Sequence, residues 1–140
     1  MIQFIIGEKG RGKTKVLLEQ ANTEIKNANG NVVYLEKSTQ HMFELNNKIR
    51  LIDMTNFPIK DSDEFIGFIC GIISQDHDLE YVYLDSFLRI SKLEEGGDVK
   101  AVLEELDAIS GQFGVNFVVS ISLTKDQLPE KYHSAVIAEL

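Results

Sequence analysis

Residues Gly7-Glu8-Lys9-Gly10-Arg11-Gly12-Lys13-Thr14 match the pattern G-x-x-x-x-G-K-[ST] in full. That spacing suits the binding of a polyphosphate. Glycines let backbone N–H groups curl inward around phosphate oxygens, and a helix starting just after the loop adds the positive end of its dipole. Lys13 reaches toward the β- and γ-phosphates, and the Thr14 hydroxyl is placed for Mg²⁺. The plainer alternative is a glycine-rich turn that caps a helix. The neighbourhood separates the two: the apolar run at residues 2–6 reads as a buried strand, and a helical pattern follows the loop. Gly7, Glu8, Lys9, Gly10, Arg11, Gly12, Lys13 and Thr14 are therefore the candidate nucleotide-binding residues.

Phosphate chemistry with Mg²⁺ also needs an acid at the end of another buried strand. Tyr81-Val82-Tyr83-Leu84-Asp85 supplies one. The apolar run carries the chain through the core and Asp85 emerges at its carboxyl end, the edge where open α/β sheets bind ligands. Thr14 and Asp85 are the candidate metal residues. Hydrolysis further requires a group that orients or deprotonates water. The residue after Asp85 is Ser86, not a second acid, so the base must come from elsewhere. Glu36, ending the run Val32-Val33-Tyr34-Leu35-Glu36, is the candidate, and it should project from the same sheet edge as Asp85.

These residues need a scaffold. Strands are expected at residues 2–6, 31–35, 49–54, 81–85 and 115–122, with a sixth at 135–140. Helices are expected at 13–28, stopped by Asn29-Gly30, and as a short element at 39–47. A third follows a capping box from Asp61 to Glu64 and carries a stripe of Phe65, Ile66, Phe68, Ile69, Ile72 and Ile73. A fourth is capped by Asp98, with Val99, Val102, Leu103, Leu106, Ile109 and Phe113 on one face. Strands that alternate with helices, several of them apolar on both faces, predict an α/β fold: a three-layer αβα sandwich with a mainly parallel sheet and right-handed crossovers. No Pro/Gly-rich linker divides the chain, so residues 1–140 read as one domain.

The bulk properties agree. A chain of 140 residues is long enough for a substantial core. Its 44% hydrophobic and 26% charged residues are ordinary for a globular domain. A formal net charge of −8 argues against a general nucleic-acid binder, whose footprint is usually basic. One cysteine, Cys70, excludes an internal disulfide framework, as expected of a reducing cytoplasm. The longest nearly unbroken apolar run, residues 65–73, is far too short to span a membrane. The first residues lack a signal peptide's basic start. A cytoplasmic protein is expected.

The arrangement resembles the RecA-like branch of P-loop ATPases, which includes RecA, KaiC and the DnaB-type helicases. The resemblance rests on the loop Gly7–Thr14, on Glu36 closing the strand after the first helix, on Leu84-Asp85-Ser86 closing a later strand, and on the order of the elements. It implies ATP and Mg²⁺ as ligands, with Lys13 and Glu36 as catalytic residues. It implies a strand order of 3-2-4-5-1, with the sixth strand beside strand 1. It also implies a polar γ-phosphate sensor at the end of the 115–122 strand, Ser120 or Ser122, with Ser122 preferred. Enzymes of this branch often receive an arginine from a neighbouring subunit. Of the three arginines, Arg11 lies in the loop, which leaves Arg50 and Arg89. The acidic stretch Glu94-Glu95-Gly96-Gly97-Asp98 falls where RecA grips DNA, so nucleic-acid binding by that route is not expected.

Other residues read as structural. Gly67 and Gly71 are taken to permit close helix–sheet packing, and Cys70 between them to be a small buried hydrophobe. His41, His77 and His133 have no metal-ligand spacing, and Tyr34, Tyr81 and Tyr83 are packing residues of strands. The leading functional reading is a Mg²⁺-dependent ATPase whose hydrolysis is coupled to a protein partner or to self-assembly. The alternatives are a non-hydrolysing nucleotide-binding interaction module and a small-molecule P-loop kinase, the latter without the arginine-rich lid such kinases use.

Overall fold

Ile2, Phe4 and Ile6 point to one side of the first strand and Ile5 to the other, and all four are buried. A strand apolar on both faces belongs inside a sheet covered on both sides, and this is where β1 (Ile2–Ile6) lies. The computed structural model describes all 140 residues. They form a six-stranded sheet in the order β3-β2-β4-β5-β1-β6. The remaining strands are β2 (Asn31–Glu36), β3 (Arg50–Asp53), β4 (Leu79–Leu84), β5 (Asn116–Ile121) and β6 (Val136–Glu139). Every neighbouring pair is parallel, as the strand–helix alternation predicts.

Helix α1 (Lys13–Glu24) covers one face, packing Leu17, Leu18 and Ala21 on Ile5, Val32, Tyr34, Tyr83 and Val118. Helices α2 (Ser62–Ser74) and α4 (Val99–Phe113), with the short α3 (Phe87–Ile90), cover the other. There Phe4, Leu35, Leu84, Phe117 and Val119 meet Phe65, Ile69, Leu103 and Leu106. The result is the expected three-layer αβα sandwich. No helix is long and apolar enough to cross a membrane.

Several local expectations need correction. Residues 39–47 form turns, not a helix. Met42 and Phe43 are exposed and only Leu45 is buried, so the segment has no apolar stripe to hold a short helix in place. Its backbone is tied down instead by Asn22, whose Nδ2 donates to the Glu44 carbonyl and whose Oδ1 accepts from Asn46 N, both at 2.8 Å. Helix α1 stops at Glu24 rather than Ala28. The chain turns there, and Glu80 Oε2 accepts from the N–H groups of Asn29 and Gly30 at 3.0 and 2.9 Å. A Cβ on Gly30 would lie 2.2 Å from the Asp78 carbonyl oxygen, so the close approach of this turn to the start of β4 requires glycine.

Half of the expected capping box forms. Asp61 Oδ1 accepts from Glu64 N at 2.9 Å, but Glu64 Oε1 reaches past Asp61 to Lys60 N. On the outer side of α2, Cys70 is exposed and a Cβ at Gly67 or Gly71 would meet nothing. Neither the buried-thiol reading nor the close-packing reading holds. The six apolar residues of α2 fill its sheet-facing side, and the glycines and the cysteine fall on the opposite one. Phe113, at the end of α4, is likewise half-exposed rather than part of the buried face.

Candidate functional site

The carboxyl ends of β1, β2, β4 and β5 lie side by side. Between β1 and α1 runs the loop of residues 7–12, in which Gly10 and Gly12 take φ of 82° and 87°. Only glycine enters that region freely. Gly12 caps α1 without a side-chain hydrogen bond, and no acidic residue occupies the helix's first turn. The first N–H groups of α1 are therefore free for an outside acceptor, the local arrangement that binds anions. Gly7 is constrained differently. Its φ is 150°, and a Cβ there would lie 2.8 Å from the Leu140 carbonyl oxygen, because β6 packs directly beside the loop's start.

A cleft of about 310 Å³ opens beside this loop. Lys9, Gly10, Gly12, Lys13, Thr14, Asp85 and Ser122 line it, as the sequence leads one to expect, together with Lys37, Arg89 and Glu94. Gly7, Glu8 and Arg11 do not line it. The Glu8 and Arg11 side chains lie 3.8 Å apart on the outer surface. Lys13 is largely buried and its Nζ donates to the Glu8 carbonyl at 2.9 Å, folding back over its own loop. Burial lowers its pKa below the usual lysine value, with the nearby Asp85 charge opposing and Lys9 adding to the depression.

Asp85 is the hub. It follows β4, is 2% exposed, and has both carboxylate oxygens occupied. Thr14 Oγ1 donates to Oδ1 at 3.1 Å and Ser120 Oγ donates to the same oxygen at 2.9 Å, while Tyr34 Oη donates to Oδ2 at 3.1 Å. Ser120 Oγ in turn accepts from Ser86 N at 2.9 Å. Both serines of β5 and its end line the cleft but differ in their partners: Ser120 is buried and bonded to Asp85 and Ser86, and Ser122 follows the strand. Burial, reinforced by Asp85, raises the Tyr34 phenol far above the ordinary tyrosine value, so it stays a neutral donor.

Glu36 does not line the cleft. It is 2% exposed at the end of β2, its Oε1 paired with Nδ1 of His41. Its Oε2 is buried without a partner. Burial raises its pKa above 4.5, His41 pulls it down, and Asp85 and Asp53 push it up again. At the mouth of the cleft Glu94 bridges Lys9, at 3.2 Å, and Arg89, at 3.9 Å. Nowhere do three or more His, Cys, Asp or Glu side chains gather as a metal cluster.

Tyr34, His41 and Glu94 were not among the site residues expected from sequence. Tyr34 was open to discovery. Tyr34, Glu36, Tyr83 and Asp85 have one parity on adjacent strands, so they share the face that α1 covers. His41 had no such signal, because turns and not a periodic element place it.

The all-parallel order β3-β2-β4-β5-β1-β6, with a glycine loop after β1 and Asp85 at the end of β4, defines a RecA-like αβα fold. The chain is similar in structure to the flagellar accessory protein FlaH from Methanocaldococcus jannaschii, with a TM-score of 0.57 and 14% identity over 95% of this chain. It spans 65% of the FlaH chain, and at this identity the likeness is one of fold. No protein-family model matches the chain, and no curated protein matches it in sequence.

Proposed function

We propose that the chain binds ATP with Mg²⁺ at the loop of residues 7–14 and hydrolyses it. The observation that carries this reading is the 3.1 Å contact between Thr14 and Asp85, made beside the free N–H groups that begin α1. Thr14 and Asp85 offer hard oxygen ligands, the donor type Mg²⁺ prefers, with the remaining positions left to phosphate oxygens and water. When bound, Mg²⁺ would neutralise charge on the β- and γ-phosphate oxygens. The protein's part is positional. The N–H groups of Gly10 to Thr14 receive the phosphates. Lys13 leaves the Glu8 carbonyl for the γ-phosphate, Ser122 supplies a hydroxyl to the same group, and Glu36 accepts the proton of the attacking water. Arg89, which lines the cleft, or Arg50 would be the arginine that acts on a neighbouring subunit's site. Coupling to a protein partner or to self-assembly, in a cytoplasmic setting, completes the reading.

Calorimetry with Mg²⁺-ATP should show binding by the wild type and a loss of at least about tenfold in affinity in Lys13→Ala. Unchanged affinity in that variant would defeat the proposal. A second reading, a nucleotide-binding module without turnover, draws on the position of Glu36 outside the cleft lining. Phosphate release that is equal and near zero in the wild type and in Glu36→Gln would favour it.

A further inference from the structure

Glu36 is nearly inaccessible, yet one of its two carboxylate oxygens has no hydrogen-bond partner. Such an oxygen, left unsatisfied, costs its full desolvation penalty. It therefore marks a group whose position is fixed by something other than its own hydrogen-bonding needs. The side chain that fixes it is His41, whose Nδ1 meets Oε1. His41 stands on the turns that follow β2, only five residues on, and those turns are anchored to α1 through Asn22. The other charged groups that act most strongly on the pair are acidic. Asp85, after β4, and Asp53, at the end of β3, act on Glu36. Glu44, with Oε2 3.9 Å from His41 Nε2, and Asp85 act on His41. No lysine or arginine forms an ion pair with Glu36, so His41 is its sole cationic partner.

Resting on the hydrolase reading above, we propose that His41 is a positioning residue for Glu36, its Nδ1–H holding Oε1 so that Oε2 is the oxygen that takes the proton from the attacking water. In that step the water oxygen bonds to the γ-phosphorus while its proton passes to Oε2. The bond from the γ-phosphorus to the bridging oxygen breaks, and ADP leaves with the electron pair. Glu36 then returns the proton to solvent. Without His41 the carboxylate keeps its burial and the repulsion of Asp85 and Asp53 but loses the contact that opposes them, so it holds a proton to higher pH and turns freely about its terminal bond.

The test uses His41→Ala and His41→Asn, the latter keeping a side-chain N–H near the place of Nδ1. In His41→Ala, kcat should fall by about tenfold or more while KM for ATP stays within about twofold, and the acid limb of the kcat–pH profile should move to higher pH. His41→Asn should recover most of kcat. In parallel, NMR titration of the His41 ring should show a pKa that drops in Glu36→Gln. Unchanged kcat and pH profile in His41→Ala would overturn the proposal. So would turnover by a wild type whose His41 titration is insensitive to Glu36→Gln, and that result would leave the hydrolase reading standing. A wild type without turnover but with the Glu36-dependent titration would overturn the hydrolase reading, and the role of Oε2 with it.

Discussion

Tyr34 donates its hydroxyl to Asp85 at 3.1 Å, joining the interior of β2 to the end of β4 beneath the glycine loop. Both residues are almost wholly buried, Tyr34 at 0% and Asp85 at 2% exposure. A carboxylate in that position is tolerable because three hydroxyl donors satisfy it, two of them, Tyr34 and Ser120, themselves buried.

Removing one donor should be costly. In Tyr34→Phe the ring keeps its packing against Tyr83 while Oδ2 of Asp85 loses its partner. Urea unfolding should show a loss of about 1–3 kcal/mol, more than the removal of an exposed hydroxyl. The same variant should weaken the dependence of nucleotide affinity on Mg²⁺, since Asp85 is then less firmly aimed. Stability equal to wild type would mean that the Tyr34–Asp85 contact contributes nothing.

A second expectation concerns pH. The pKa of His41 lies above its ordinary 6.5: burial acts to lower it, and the hydrogen bond and charge of Glu36, with Glu44 and Asp85, outweigh that effect. A group that holds its proton more tightly in the folded chain stabilises the fold in its protonated form. The contribution is complete below the unfolded pKa and disappears as pH rises through the folded one. His41→Ala should therefore destabilise the protein more at about pH 6 than at about pH 9. Urea midpoints of the two proteins at several pH values would show this, and a cost that grows with pH would contradict the pairing.

Gly67 and Gly71 offer an expectation of opposite sign. Both lie inside α2, where a Cβ meets nothing. Alanine there should stabilise the protein by about 0.4–1 kcal/mol per site, by restricting the unfolded chain and favouring helix. A thermal melt that drops for either variant would show that this face of α2 is occupied in solution.

How much was legible in the sequence follows from which forces place each residue. The strands, the glycine loop and the place of Asp85 were legible because each depends on local signals: apolar runs, glycine positions, and a polar residue ending a buried strand; the order of the strands in the sheet is non-local and came only with the resemblance to RecA-like ATPases. Glu36 was found at its strand end by the same logic, but its pairing was not. His41 reaches it from a segment with turn hydrogen bonds and no buried stripe, so no period in the sequence announces it. The expected helix at 39–47 failed for the same reason. Cys70, Gly67 and Gly71 were misread because close spacing of small residues says nothing about which side of a helix faces the sheet. The apolar stripe of α2 does say so, and it puts all three outside. Between Ser120 and Ser122 the resemblance prefers Ser122; that Ser120 bonds to Asp85 is a contact between strands that no local pattern announces.

The tyrosine array has a practical meaning. The chain has no tryptophan and four tyrosines. Three of these stack in a row across β2 and β4, with ring centres 6.1 Å apart for Tyr34 and Tyr83 and 6.0 Å apart for Tyr81 and Tyr83. The row ends on the Asp85 carboxylate. The near-ultraviolet signal of the protein is therefore concentrated in one short chain of rings whose terminal hydroxyl touches the hub of the cleft. The molecule carries its own optical probe, and tyrosine emission or near-ultraviolet circular dichroism can follow events at Asp85 without a label.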